Sequence, residues 1–291
     1  MIGIGKTSPL LKIIVISLAA ATIVFIIVNG LVFRDTSLTR TQESGSIRIG
    51  YAVEAPYAFL NPEGEVTGES PEVAKLIVSK LGISQIEWRL IEFHDLVSEL
   101  ESGRIDVIAA GIFITPERSQ HVNFSEPTIH VRQGMLVAKG NPKQIHSYQQ
   151  NGIKIAVLAG SVESGLLRRM GLPEDQRLVV PDVFTGQVAV ESGLVDGLAL
   201  SSPTIHWMVL QDQLGRTELA EPFEQPKLAQ QERLGYGAFV FRKMDDQLLS
   251  AWNMALKALI GSPEHLKLIS EFGLTEAELP GSITTLEILT K

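Results

Sequence analysis

The sequence predicts an α/β protein of two lobes, each a mostly parallel sheet flanked by helices, with a transmembrane helix at the N-terminus. Three observations carry this. Strand-like and helix-like segments alternate along most of the chain, a nine-residue phrase recurs in similar form, and a 21-residue run near the start carries no charge.

The uncharged run, 13–33, is close to the ~20 residues that cross a bilayer as a helix, and Lys6 and Lys12 precede it. No Ala-x-Ala site follows, so an uncleaved anchor is expected rather than a cleaved signal. The basic residues 1–12 would stay in the cytoplasm and the lobes would lie on the extracytoplasmic side of the cell membrane. Residues 34–45 are polar and aperiodic and read as a flexible linker. The chain has no cysteine, which excludes disulfides, thiol catalysis and a lipidated cysteine. A net charge of −8 without a basic run excludes the electrostatic footprint of nucleic-acid binding. Hydrophobic residues make up 45% of the chain, enough for a full core.

After the linker, IRIGYAV (47–53) reads as a strand. SPEVAKLIVSKLG (70–82) reads as a helix with Ser70 as cap, Pro71 at its first position and Val73, Leu76, Ile77 and Leu81 on one face, and IEWRLI (86–91) as the next strand. ESGRIDVIA (101–109) then ends a helix at Gly103 and opens a buried strand with an aspartate; ESGLVDGLA (191–199) does the same at Gly193. The second half repeats the alternation with strands at 153–160, 177–181 and 195–201 and helices from about 162 and near 184–192. Strand–helix–strand order implies parallel pairing with right-handed crossovers. GMLVAKGNP (134–142) and LGYGAFVFRK (234–243) read as extended crossings. They make 46–135 with 236–282 the first lobe, 136–235 the second and 283–291 a tail, with helices at about 244–260 and 263–271 packing on the first lobe.

Open α/β sheets bind ligands at the carboxyl ends of their strands, so GIFITPER (111–118) and LSSPT (200–204) should face a cleft. In the first, Thr115 reads as a helix cap and Pro116 as the first helical position. Arg118 then falls in the first turn, where the dipole disfavours a cation by a few tenths to ~1 kcal/mol, so an anion is expected nearby. Glu54, Tyr57, Phe93 and Phe113 lie in loops after strands and, taken alone, read equally well as packing. Asp106 and Asp196 read as turn-fixing, and PTIHWMVL (203–210) as core, although Trp207 could face the cleft. The six histidines show no metal-ligand spacing, and Gly5-Lys6-Thr7 lacks the strand and upstream glycine of a phosphate loop. No cofactor or metal is expected.

The phrases IGYAVEAPYAF, TGESPEVAK, FHDLVSELESGRIDVIAAGIFITPERSQHVNFSEP and GYGAFVFRK, in this order, resemble the family 3 extracellular solute-binding proteins of ABC importers over about residues 46–282. The resemblance implies a type II periplasmic-binding-protein fold, a monomer without catalysis that closes on a small solute and delivers it to an ABC permease with its ATPase subunits. It implies that Arg118 grips a solute carboxylate and that Thr115 can add a hydroxyl. Ser161 and Val162 stand where the family usually has hydroxyl residues for that carboxylate, so one hydroxyl is missing. Ser201 stands where amino-acid-binding members usually place an aspartate for the ammonium.

Within the family the chain is most similar to the ectoine/hydroxyectoine-binding proteins. The similarity rests on the E-A-P-aromatic phrase (54–57), on AAG-x-x-I-T-P-x-R with Phe113 supplying a ring, and on SPEHL…FGLTEAELPG. It implies a cage of Tyr57, Phe93 and Phe113 around a cyclic amidinium, with Glu54 accepting ring N–H groups. The alternatives are a polar amino-acid-binding protein of the same family, a sensor domain, or an enzyme resembling the cyclohexadienyl dehydratases with Glu54 as general acid.

Overall fold

The computed structural model of the protein describes residues 35–227 and 233–290. The expected anchor at 13–33 lies outside them, and among the described residues no helix is long and apolar enough to cross a membrane. By its contacts the chain divides into Met1–Thr36 and Ser37–Lys291, and the second unit carries the described elements.

The flexible linker expected at 34–45 is instead largely helix, α1 (Ser37–Ser44). Leu38 packs on the core, but the rest of its hold comes from polar groups rather than an apolar stripe, which is why its sequence shows no periodicity. Ser37 and Thr41 are buried, the Ser37 hydroxyl accepts the Leu248 N–H at 3.3 Å, and Arg40 pairs with Asp106 at 2.9 Å.

The first lobe continues with β1 (Ser46–Tyr51), the short hairpin β2 (Phe59–Leu60) and β3 (Val66–Thr67), α2 (Glu69–Lys80), β4 (Gln85–Leu90), α3 (Leu96–Glu101), β5 (Val107–Ile108), α4 (Pro116–Ser119), β6 (Val122–Phe124) and β7 (Ile129–His130). The second lobe comprises β8 (Gln133–Ala138), β9 (Ile155–Leu158), α5 (Val162–Arg169), β10 (Arg177–Val180), α6 (Val183–Glu191), β11 (Gly197–Ser201), α7 (Ser202–Gln211) and β12 (Thr217–Leu219). The chain then returns through β13 (Tyr236–Gly237), β14 (Val240–Arg242), α8 (Asp246–Leu259), α9 (Pro263–Ser270) and α10 (Thr285–Thr290). Gly68, not Ser70, caps α2; the Ser70 hydroxyl donates to Glu69 at 2.6 Å.

Each lobe has one five-stranded sheet, ordered β4-β1-β5-β14-β6 in the first and β10-β9-β11-β8-β12 in the second. The sheets are mostly parallel, as expected, with one reversed strand in each: four strands share a direction, while β14 pairs antiparallel with β5 and β6 and β8 with β11 and β12. The reason is connectivity: β8 and β14 enter from the other lobe, so they run against the strands they join. The second sheet also claims Gln133 onward, so its lobe begins at 133 rather than at 136.

Apolar side chains cover both faces of each sheet. In the first lobe Ile47, Ile49, Phe239 and Phe241 meet Val73, Ile77, Leu248 and Trp252 on one face, while Ile108, Val240, Leu96 and Leu100 close the other. The Trp252 ring packs edge-on against Phe239 and Phe241 at 5.0 and 5.5 Å. Residues 283–291, expected as a tail, include α10, whose Ile288 is buried in this second face. The Thr285 hydroxyl donates to the Ser125 carbonyl at 2.6 Å.

The repeated phrase performs the same task in both lobes. Gly103 and Gly193 take φ of 73° and 72°, a left-handed turn that side chains disfavour. The next aspartate ties its strand to a neighbour. Asp106 N–H donates to the Arg48 carbonyl and its carboxylate accepts the Arg48 N–H; Asp196 does both with Lys154. Burial alone would raise the Asp106 carboxyl, but hydrogen bonds from Arg48, Arg40 and Arg242 hold it well below the usual carboxylate range.

Candidate functional site

The carboxyl ends of the parallel strands of both sheets converge on one cavity of about 20 Å³, room for about one water and far below the ~300–1,000 Å³ usual for small-molecule sites, so a solute enters only when the lobes part. The loop after β1 supplies Glu54 and Tyr57, the loop after β4 supplies Phe93, and the loop after β5 supplies Gly111, Phe113 and Arg118. From the second lobe come Leu158, the start of α5 (Ser161, Val162, Glu163) and the end of β11 (Leu200, Ser201).

Local chemistry explains the placement of Arg118. The Thr115 hydroxyl accepts the Arg118 N–H at 3.2 Å with Pro116 at the first helical position, which aims the side chain back into the cleft. Its guanidinium donates to the Phe113 carbonyl at 2.8 Å and, across the cleft, to the Gly160 carbonyl at 2.9 Å. The guanidinium carbon lies 5.8 Å from the centre of the Phe93 ring, within cation–π range. Both hydrogen-bond partners are neutral carbonyls, so its charge is available to an anion. Burial pulls this guanidinium down to about 10, with Glu163, Glu117 and Glu54 opposing, and it remains a cation at neutral pH.

Tyr57 meets Phe113 edge-on at 6.4 Å. It also packs on Gly111, where φ is 62° and an added Cβ would lie 2.6 Å from the ring; only glycine permits that approach. The hydroxyls of Tyr57 and Ser201 share a hydrogen bond of 2.7 Å across the cleft. Ser201 in turn lies 3.0 Å from the Thr204 hydroxyl, which donates to Glu54 at 3.0 Å. The lobes therefore stand closed on one another, joined by Arg118–Gly160, Tyr57–Ser201 and Thr204–Glu54.

Glu54 is buried, and that burial, with Glu163 adding repulsion, pushes its carboxyl up to about 7 against the pull of Thr204 and Arg118. Between about 4.5 and 7 the buried carboxyl keeps a proton that a solvated one has released, so closure without a ligand is favoured at the acid end and weakens as pH rises. We expect ligand-free protein labelled on both lobes to show a larger mean interlobe distance at pH 8 than at pH 5 by energy transfer. An unchanged or shorter distance would exclude Glu54 as a determinant of closure.

Of the nine residues singled out in the sequence, Glu54, Tyr57, Phe93, Phe113, Arg118, Ser161, Val162 and Ser201 line the cavity. Thr115 does not; its hydroxyl acts as the cap described above. Trp207 lies outside the cavity, its ring 5.1 Å from Phe59. Sequence reasoning missed Glu163, and it placed Gly111 and Thr204 in loops facing the cleft without singling them out. The acid in Ser-Val-Glu gave no sign, because a glutamate in a first helical turn is the ordinary surface preference.

The match to a family model decides the chain's membership: the model of bacterial extracellular solute-binding proteins, family 3, covers residues 47–275. The chain belongs to this family. A probable amino-acid ABC transporter periplasmic-binding protein of Sinorhizobium fredii is 33% identical over 255 residues, 86% of this chain and 83% of that one. The glutamate-binding protein GluB of Corynebacterium efficiens is 25% identical over 238 residues, 79% of each chain. Among solved structures, EhuB in complex with hydroxyectoine superposes with a TM-score of 0.79 at 30% identity, covering 88% of this chain and 99% of the other. The two-lobed α/β periplasmic-binding fold and the solute-binding class follow for this family member, and both of these relatives are named as binding proteins.

Proposed function

We propose that this solute-binding protein receives ectoine or hydroxyectoine on the extracytoplasmic side of the membrane and delivers it to an ABC permease, with its N-terminal segment as the tether. The observation that carries this reading is a guanidinium with neutral partners in the same cavity as a buried carboxyl and three aromatic rings. Such a cavity suits a zwitterion whose cation is delocalised. Arg118 takes the carboxylate through charge-assisted bonds worth ~1.5–3 kcal/mol, Tyr57, Phe93 and Phe113 surround the cation, and Glu54 accepts a ring N–H.

The neutral Ser201 supports a solute without a free ammonium, because its hydroxyl is already engaged with Tyr57 and Thr204. The likeness to a protein solved with hydroxyectoine points the same way. A polar amino acid is the second reading, favoured by the names of the relatives.

Calorimetric titration of the full-length chain with ectoine, hydroxyectoine, glutamate and arginine separates the two. Ectoine or hydroxyectoine is expected to bind at micromolar concentration or below, with the amino acids silent. A preference for glutamate or arginine would replace the proposed ligand with an amino acid.

A further inference from the structure

Two carboxyl groups reach the cavity, one from each lobe, and the reading above employs only Glu54. Glu163 lies at the second position of α5, is 4% exposed and lines the same cavity as Arg118 and Glu54. A first-turn acid ordinarily faces solvent, where it complements the helix dipole; this one turns inward. Burial raises its carboxyl, opposed first by its own backbone N–H and by Ser161. The Gln133 amide lies beside it but makes no full hydrogen bond. Two acids facing one arginine in a dry site keep their negative charge only beside a further cation and otherwise take up a proton.

We propose that Glu163 is a specificity-determining residue, accepting a hydrogen bond from the bound cation on the side opposite Glu54, so that the cavity selects delocalised N–H cations over quaternary ammonium solutes. The proposal rests on the reading that this cavity is the solute site, and it adds the group that sets the ligand class.

An amidinium or guanidinium carries N–H donors on two different edges. Glu54 comes from the loop after β1 and Glu163 from α5, so one cation meets both acceptors only when the lobes close. Closure and recognition are thereby the same event. A quaternary ammonium has no N–H to give to Glu54 or Glu163, which then keep only their protein donors, and a site built to hydrogen-bond its ligand can reject an analogue without the donor by ~10⁴-fold.

The test titrates full-length wild type and Glu163→Gln with ectoine, with proline betaine (a quaternary ammonium carboxylate) and with arginine. Wild type is expected to prefer ectoine to proline betaine by a hundredfold or more, and Glu163→Gln to narrow that gap at least tenfold. An unchanged gap, or an equal loss for both solutes, overturns the proposal. If wild type ignores ectoine but binds arginine, the proposed solute falls while Glu163 is read from arginine: a tenfold loss in the variant supports its role, and no loss overturns it. Binding of neither N–H cation overturns it as well. Thermal unfolding accompanies each titration. Should the glutamine variant not fold, Glu163→Asp keeps the charge with a shorter reach; weakened binding of the N–H cation alone supports the proposal, and wild-type selectivity overturns it.

Discussion

Replacing Arg118 with alanine is expected to weaken solute binding by about a hundredfold or more. Truncating one partner of a buried charge pair costs ~2–5 kcal/mol, because the other charge is left without a counter-charge in a dry site. Two features of this arginine put it in that class. It lies in the interlobe cavity, and its remaining contacts are carbonyls that no anionic solute needs. The variant also loses the bond to Gly160, so some of the loss falls on closure. Arg118→Lys separates the contributions: lysine keeps the charge without the planar fork and should recover part of the affinity. Calorimetry reads both variants, and a change under threefold for alanine would remove Arg118 from the binding site.

Asp106→Asn is expected to cause the largest loss of stability outside the apolar cores. The aspartate is 2% exposed and lies within 3.0 Å of Arg40, Arg48 and Arg242. Removing the charge leaves three guanidinium groups facing one another, and breaking a buried pair costs ~3–5 kcal/mol. Arg40 and Arg48 remain partly hydrated, which places the loss at the low end. For a chain of this size that corresponds to a fall in melting temperature on the order of 10 °C. Asp196→Asn is the internal control, since its echoed carboxylate is more exposed and, among the described residues, pairs with Lys143 alone; we expect a much smaller shift. Equal shifts would mean that the arginine cluster contributes nothing beyond the turn. Because the Asp106 carboxyl is depressed, its stabilisation is complete above the ordinary carboxylate range near pH 4 and is lost only as pH falls below it.

What the sequence revealed and what it hid divide along physical lines. The face of α2 was legible because Val73, Leu76, Ile77 and Leu81 recur at helical spacing and pack on one core. The cavity residues were legible because strand ends in alternating α/β chains converge and because the phrases around Glu54 and Arg118 resemble those of a known family. The helix α1 was not, because buried hydroxyls and an arginine hold it and leave no periodic trace. The antiparallel strands were seen as extended crossings, but their pairing depends on which lobe receives them, information that no local window contains. Glu163 was hidden because a solvated and a buried first-turn glutamate look alike until the second lobe is in place.

The exchange of strands between lobes bears on how the protein is made. β14 lies between β5 and β6 in the first sheet, and Trp252 and Ile288 complete its two faces. A chain emerging from the N-terminus can therefore assemble the second lobe, which needs residues up to about 220, while the first remains without a central strand. The first lobe closes only when nearly all of the polypeptide has arrived. Its N-terminal half must persist until then with apolar surface uncovered, so the interval before the last helices dock is when the newborn chain depends most on a chaperone.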